Sequence, residues 1–382
     1  MNPPLHGVRV IELGNLVAAP YCTMLLADLG ADVVKVEQGE GDLARQIGPF
    51  LRGESSFFLA VNRGKRSVAV DAKSDQGRHH LFELVRRADV VVHNLRLGAM
   101  ERMGLGYTDL AAANPGLIYA SITAFGSSGP YAARAGIDLV FQGEAGMMLI
   151  NGHPGDPPQK TATTIADFLA GTNTALLVCA ALAARGVSGR GQMVETSLRD
   201  GLVAVQGTWN ALYLTHQQPP ERTGTASPVT APNQTFATAD GFLNLAVVSE
   251  RHFQLVCSVL EAEELVADPN FRTNELRVEH RSELAARLGP LLKAKPTEHW
   301  MESLGAAGLP VGRLLTLEEV FQDPQLLHNQ MLVEMEHPVR GTVPVTGSPL
   351  WAGGAPLISG RRPPRLGEHT DEVISELGEG HH

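Results

Sequence analysis

The sequence predicts an α/β protein built on a mainly parallel sheet, with a second, smaller unit. Three observations carry this reading. Short β-branched runs alternate with helical stretches through the first third of the chain. Those runs are apolar almost throughout, as strands covered by helices on both faces are. The 382 residues also exceed the usual size of one domain, so one large and one smaller domain is the natural division.

The elements follow in order. VRVIEL (8–13) is the first strand, and AAPYCTMLLADLG after it is a helix, with Pro20 suited to the first turn and Gly30 to the stop. ADVVKVE (31–37) is the second strand. Then come KRSVAVD (65–71), a helix over SDQGRHHLFELVRRA (74–88), DVVVHNL (89–95), a short helix near GAMERMG (98–104) and GLIYASITAF (116–125). Sheets of this kind bind ligands at the carboxyl ends of their strands, which brings LGNLVAAP, DAK, NLR and FGSSGP around one crevice.

A long uncharged helix from Phe168 ends at Arg185 and Gly186, VSGRGQ (187–192) breaks the chain, and QQPPERTGTASPVTAP (217–232) has the composition of a linker. QTFATADGFLNLAVV then reads as a hairpin turning at Ala239-Asp240-Gly241, followed by helices to about Gly312. The expected division is a large domain over 1–200, a linker over 201–231, a small domain over 232–314 and a segment over 315–382 that returns to the large domain.

Composition narrows the function. With 31 Lys and Arg against 41 Asp and Glu, the net charge is -10, which argues against nucleic acid or an anionic membrane as partner. Cys22, Cys179 and Cys257 are odd in number and far apart, as in a reducing compartment. MNPPLHGVRV lacks the pattern of a signal peptide, and no uncharged run reads as a membrane span, so a cytoplasmic protein is expected.

Familiar motifs are missing. ELGNLVAAP is not G-x-G-x-x-G, no G-x-x-x-x-G-K-[ST] occurs, FGSSGP is not a nucleophile elbow, and the histidines lack the H-E-x-x-H arrangement, so no metal site is expected. Lys73, Arg96 and Arg102 follow strands on the ligand side and read either as solvated loop charges or as a phosphate site. Asp167, at the head of the uncharged stretch, reads either as a helix N-cap or as a poorly hydrated, reactive carboxylate.

A resemblance adds to these readings. GVRVIELGNLVAAPYCTMLLADLGADVVKVE, NRGKRSVAVDAKS, ADVVVHNLRLGAMERMGLGY, NPGLIYASITAFGSSGPY, IADFLAGTNTALLVCAALAARGVSGRGQMVETSL, APNQTFATADGFLNLAV, DPQLLHNQM and LGEHTDEV resemble, in this order, the class III CoA-transferase family. That family includes formyl-CoA transferase, carnitine CoA-transferase and α-methylacyl-CoA racemase. The likeness implies a Rossmann-like large domain, a smaller α+β domain and an interlocked, ring-like homodimer. It implies acyl-CoA and a carboxylic acid as substrates, with no tightly bound cofactor and no metal.

By the same resemblance Asp167, in its I-x-D-x-x-x-G context, carries the chemistry. Asn94, Arg96 and Arg102 of N-x-R-x-G-x-x-x-R contribute to CoA binding, with Lys73 and Met103 near the adenine and phosphate end and Arg45 near the CoA entrance. Val17, Leu95 and Asp138 complete the implied CoA contacts. The racemase branch has a histidine just before the Asp of its G-H-D motif, and Ile137 stands there. Isoleucine moves no proton, so a CoA-transferase is expected over a racemase, with His153 a possible substitute base. Val17 replaces the glutamine of the formyl-CoA transferase pattern, and NQTFATADG lacks its glycine run, which points to a larger or less polar acyl group. A non-catalytic CoA-binding protein is the remaining alternative.

Overall fold

The structure, a computed structural model, describes residues 2–337 and 341–378. By their contacts the residues form two compact units, one of Met1–Met147, Lys160–Ala211 and Asp323–His382, the other of Met148–Gln159 and Leu212–Gln322.

The first unit is built on six strands: β1 (Arg9–Leu13), β2 (Asp32–Glu37), β3 (Lys65–Ala69), β4 (Val90–His93), β5 (Ile118–Thr123) and β6 (Met193–Ser197). All pairs are parallel, in the order β3-β2-β1-β4-β5-β6. The chain therefore runs outward from β1 to one edge and then crosses to build the other half. The reversal falls between β1 and β4, where Leu13 lies opposite His93, and loops leaving such a point in opposite directions open a crevice. The sixth strand, MVETS, was missed in the sequence because it is short and half polar.

Helices α1 (Ala18–Asp28), α2 (Asp75–Arg86), α3 (Ala99–Arg102), α4 (Tyr107–Ala113), α5 (Asp138–Glu144) and α6 (Ile165–Ser188) cover the sheet. Alternate strand residues point to opposite faces. Val10, Val33, Val90, Val92, Ile118 and Ala120 pack with α1 and α6, while Ile11, Val34, Val91 and Tyr119 pack with Leu81 and Leu84 of α2, Met100 and Leu110. Both faces are core, which is why the strands lack apolar-polar alternation.

Helix α6 runs past Gly186 and ends at Ser188, with Gly189 in the left-handed conformation at φ 71°. Contrary to the sequence reading, its length and composition would suffice to cross a membrane. In the structure one of its faces is buried, with Ala166, Ala170, Gly171, Thr174 and Val178 in the core. Gly171 makes the close packing possible: a Cβ there would sit 2.7 Å from the carbonyl oxygen of Ala18. The first two turns of α6 thus lie against the first turn of α1, and Phe168 meets Tyr21 edge to face at 4.7 Å between ring centroids.

The expected linker differs from the structure in its first half. Helices Leu198–Val205 and Gly207–His216 occupy it, and only 217–232 is free of helix and strand. Of the carboxyl-terminal segment, 338–340 and 379–382 lie outside the described residues. Its helix Thr370–Gly378 is tied to the first unit by Glu376, which pairs with Arg9 at 2.6 Å and Arg66 at 2.5 Å.

In the second unit β7 (Asn233–Ala237) and β8 (Phe242–Ala246) form the expected hairpin, and β9 (Val311–Arg313) pairs antiparallel with β8. Phe236, Leu243, Leu245, Phe253, Leu288 and Trp300 form its core, with the Trp300 indole N–H donating to the Leu292 carbonyl at 2.7 Å.

Candidate active site

A cavity of about 310 Å³ opens at the sheet's reversal point. Leu13, Gly14 and Asn15 after β1, Val36, Gln38, Gly41 and Asp42 around the end of β2, and Leu95, Ala99 and Met103 after β4 line it. Of the expected CoA contacts, Leu95 and Met103 are in its wall. Val17 is buried beside it as the N-cap of α1 and makes no side-chain cap bond.

Three side chains fasten the loop between β1 and α1. The Lys35 ammonium donates to the Gly14 carbonyl at 3.0 Å. Asn94 accepts the Asn15 N–H at 3.0 Å and donates to the Asn15 carbonyl at 2.9 Å, so this expected CoA ligand is spent as a backbone clamp. Asp42 accepts the N–H of Leu16 at 2.9 Å, and Leu16 has a φ of 66°, in the left-handed region that side chains other than glycine rarely adopt. Beneath the loop Lys35 also contacts Glu12 at 2.6 Å and Asp42 at 2.7 Å, and Lys65 contacts Glu12 at 2.8 Å, all fully buried. The two ammonium groups hold the Glu12 carboxyl down at about 2 against the opposing effect of burial.

Lys73, Arg96 and Arg102 are exposed, and among the described residues no ion pair holds their charged ends. They sit on the ligand side as expected but are not one cluster. Lys73 follows the edge strand β3, three strands from the β4 end that carries Arg96, a span of about 14 Å at ~4.8 Å per strand. Only an extended anion bridges them. Arg45, expected near the CoA entrance, lies beside Gly41 of the cavity wall, but its guanidinium pairs with Glu37 at 2.7 and 2.8 Å and lies 3.7 Å over the Phe58 ring. That pairing and the Lys35 charge keep Glu37 below the usual carboxylate range despite burial. Such an arginine is a structural tie, not a free phosphate ligand.

Asp167 is the third residue of α6, so it is not the helix cap. Thr164, at the N-cap, makes no side-chain cap bond either. The cap comes from Asp138 at the start of α5: its Oδ1 accepts the Ala166 N–H at 2.8 Å, and its Oδ2 accepts from Gln142 Nε2 at 2.6 Å. Asp138 is 6% exposed, with both oxygens turned into the protein, so its expected role as a CoA contact gives way to that of a capping carboxylate. Among the described residues the Asp167 carboxylate has no hydrogen bond or ion pair of its own. Burial first, and the Asp138 charge second, push its carboxyl up to about 7. The helix dipole favours the anion, but desolvation and the like charge outweigh it. The result is a poorly solvated carboxylate that is nucleophilic when ionised and half protonated near neutral pH.

Ile137, immediately before Asp138, is 63% exposed and has no proton to exchange. His153, weighed as a substitute base, belongs to the second unit, where its ring packs on Gly224. Among the described residues no group of three or more His, Cys, Asp or Glu side chains is placed to hold a metal.

The model of CoA-transferase family III matches residues 5–370 of the chain. The chain belongs to CoA-transferase family III. The succinate–glutarate CoA-transferase of Agrobacterium fabrum is 38% identical to this CoA-transferase over 384 residues, covering 98% of this chain and 96% of the relative. The succinyl-CoA:glutarate CoA-transferase of Mus musculus is 37% identical over 376 residues, covering 98% and 86%. A CAIB/BAIF family protein from Brucella suis, solved by crystallography, superposes with a TM-score of 0.87 at 37% identity, covering 99% of this chain and 100% of that one.

Sequence reasoning missed the parts of this CoA-transferase that act on backbone from a distance: the Asp138 cap, and the buried Glu12, Lys35, Asp42 and Lys65. A signal for the second was present. Glu12 and Lys35 interrupt strands that a parallel sheet buries on both faces, and a charge there needs a buried partner.

Proposed function

We propose that this enzyme moves CoA from an acyl-CoA donor, succinyl-CoA in the first instance, to a carboxylate acceptor of the glutarate kind through covalent intermediates on Asp167. The single observation that carries the reading is the Asp167 carboxylate: unpaired, half-buried and raised to about 7, in the first turn of a helix that packs against the helix leaving the cavity loop. The donor and acceptor follow the names of the relatives.

An Asp167 oxygen attacks the donor's thioester carbon, the carbon–sulfur bond breaks, and CoA leaves as thiolate, giving a mixed anhydride. The thiolate then attacks the Asp167 acyl carbon, which releases the donor's carboxylate and leaves an aspartyl-CoA thioester. The acceptor carboxylate attacks that carbon and frees the thiolate, which takes the acceptor's acyl group and restores Asp167. No proton, metal or ATP enters the balance. Lys73, Arg96 and Arg102 bind the phosphates of CoA, whose length suits the wide span between them, and Leu95 and Met103 take its nucleotide end in the cavity. The working form is an interlocked homodimer in the cytoplasm. The apolar side of α6, where Leu176 is 68% and Val187 is 92% exposed, supports a partner subunit.

The test is intact-mass spectrometry after incubation with succinyl-CoA. Wild type gains the mass of bound CoA and loses it on addition of glutarate, whereas Asp167→Ala gains none and exchanges no acyl group. An Asp167→Ala protein that retains exchange would sink the mechanism. Exchange of the α-proton with deuterium from solvent, without any acceptor acid, would favour a racemase instead.

A further inference from the structure

We propose that Asp42 and Lys35 are positioning residues for the acyl-CoA pocket, a buried latch that holds the loop Gly14–Leu16 in the strained conformation that forms the cavity wall. The inference rests on the reading of that cavity as the CoA site.

Leu16 has a φ of 66°, a conformation that strains a non-glycine residue and persists only where its surroundings enforce it. The enforcement is visible. Asp42 Oδ1 accepts the Leu16 N–H at 2.9 Å and the Ala44 N–H at 2.8 Å. Its other oxygen lies 2.7 Å from the Lys35 ammonium, and its own N–H donates to Glu37 at 2.8 Å. Lys35 has three protons to donate, and its three close partners are Asp42, Glu12 and the Gly14 carbonyl. One ion pair therefore grips the loop at Gly14 and at Leu16, on either side of the Asn15 backbone that Asn94 clamps.

Placement makes this more than core stabilisation. Gly14, Asn15 and Asp42 line the cavity, whereas Leu16 does not and Lys35 is wholly buried below it. A pair of charges this deep is weak evidence for net stability, because desolvation offsets much of the attraction. Fixing a strained turn at a binding site is a use that needs the charges in place. A pocket wall set before the ligand arrives spares the ordering cost at binding.

The experiment separates loop geometry from core damage. Leu16→Val leaves the buried ions intact but puts a β-branched residue at a positive φ, and Asp42→Ala removes the latch. Each weakens CoA binding, measured by calorimetry, and raises KM for succinyl-CoA about tenfold, with kcat and KM for the acceptor little changed. Leu16→Gly added to Asp42→Ala recovers most of the lost affinity, because glycine adopts the conformation without strain. Should Asp42→Ala fail to fold, Leu16→Val decides alone. Unchanged CoA affinity in Leu16→Val, or a double variant no better than Asp42→Ala, overturns the proposal. Wild type that binds no CoA overturns the functional reading instead.

Discussion

Asp138 accepts the backbone N–H of Ala166 at 2.8 Å across 28 residues of sequence, and Ala166 immediately precedes Asp167. One carboxylate thus satisfies one of the free N–H groups at the start of α6 and also stands as a like charge near the reactive group.

The two effects separate by substitution. Asp138→Asn keeps an acceptor for Ala166 but removes the charge, so the midpoint of the pH–rate profile moves below the wild-type value. Asp138→Ala also loses the cap, which costs on the order of 1 kcal/mol and lowers Tm. Identical midpoints in wild type and Asp138→Asn would show that Asp138 acts only as a cap.

Ionisation of Asp167 sets the pH dependence. The rate of the first half-reaction rises with pH and levels above about 7, because only the carboxylate attacks the donor. The native state keeps this proton to a higher pH than the unfolded chain, where the carboxyl has its ordinary value of 3.8. Stability is therefore lost as pH rises from about 4 to 7. Asp167→Asn should show a higher Tm than wild type at pH 8 and an equal one at pH 4 in thermal melts.

Free and tied cations should behave differently. Alanine at Lys73, Arg96 or Arg102 raises KM for the acyl-CoA about tenfold, roughly 1.4 kcal/mol, with kcat held and the effect shrinking in high salt. Arg45→Ala takes the bidentate ion pair from the buried Glu37 carboxylate, leaving it the Ser67 hydroxyl and the Asp42 N–H, and removes the ring contact with Phe58, so it costs about 3 kcal/mol of folding stability. A thermal melt of Arg45→Ala beside its KM checks both sides of the comparison.

Gly171→Ala pushes a methyl group to 2.7 Å from the Ala18 carbonyl oxygen, where the neighbour is backbone and cannot turn away. Separation of α6 from α1 costs about 1–3 kcal/mol. Because Asp167 lies one turn earlier on α6, kcat falls along with Tm, measured in the exchange assay and by calorimetry.

Five of the six strands of the large sheet were legible because they are largely apolar on both faces, the half-polar MVETS being the exception, and the hairpin was legible because Asp240-Gly241 supplies its turn. The exposed cations Lys73, Arg96 and Arg102 were legible for a similar reason: Lys73 and Arg96 lie in loops that leave strands, Arg102 ends the short helix after β4, and the ends of parallel strands are where ligands bind. Arg45 was not, since nothing near GDLAR announces that Glu37, eight residues earlier, turns back to neutralise it.

The sequence by itself determined the alternation of strand and helix and the crevice at the strand ends, since local periodicity and loop position are written in neighbouring residues, while the carboxylate to suspect came from its resemblance to a family. Only the tertiary structure decided what each polar group is spent on. Hydrogen bonds and charges act between groups adjacent in space, so Asn94 could be seen to clamp Asn15, Asp138 to cap α6 and Lys35 to brace Gly14 only after the chain had brought them together. Asp167 is set apart by the same rule: of the carboxylates at the head of α5 and α6, it is the one left without a partner among the described residues.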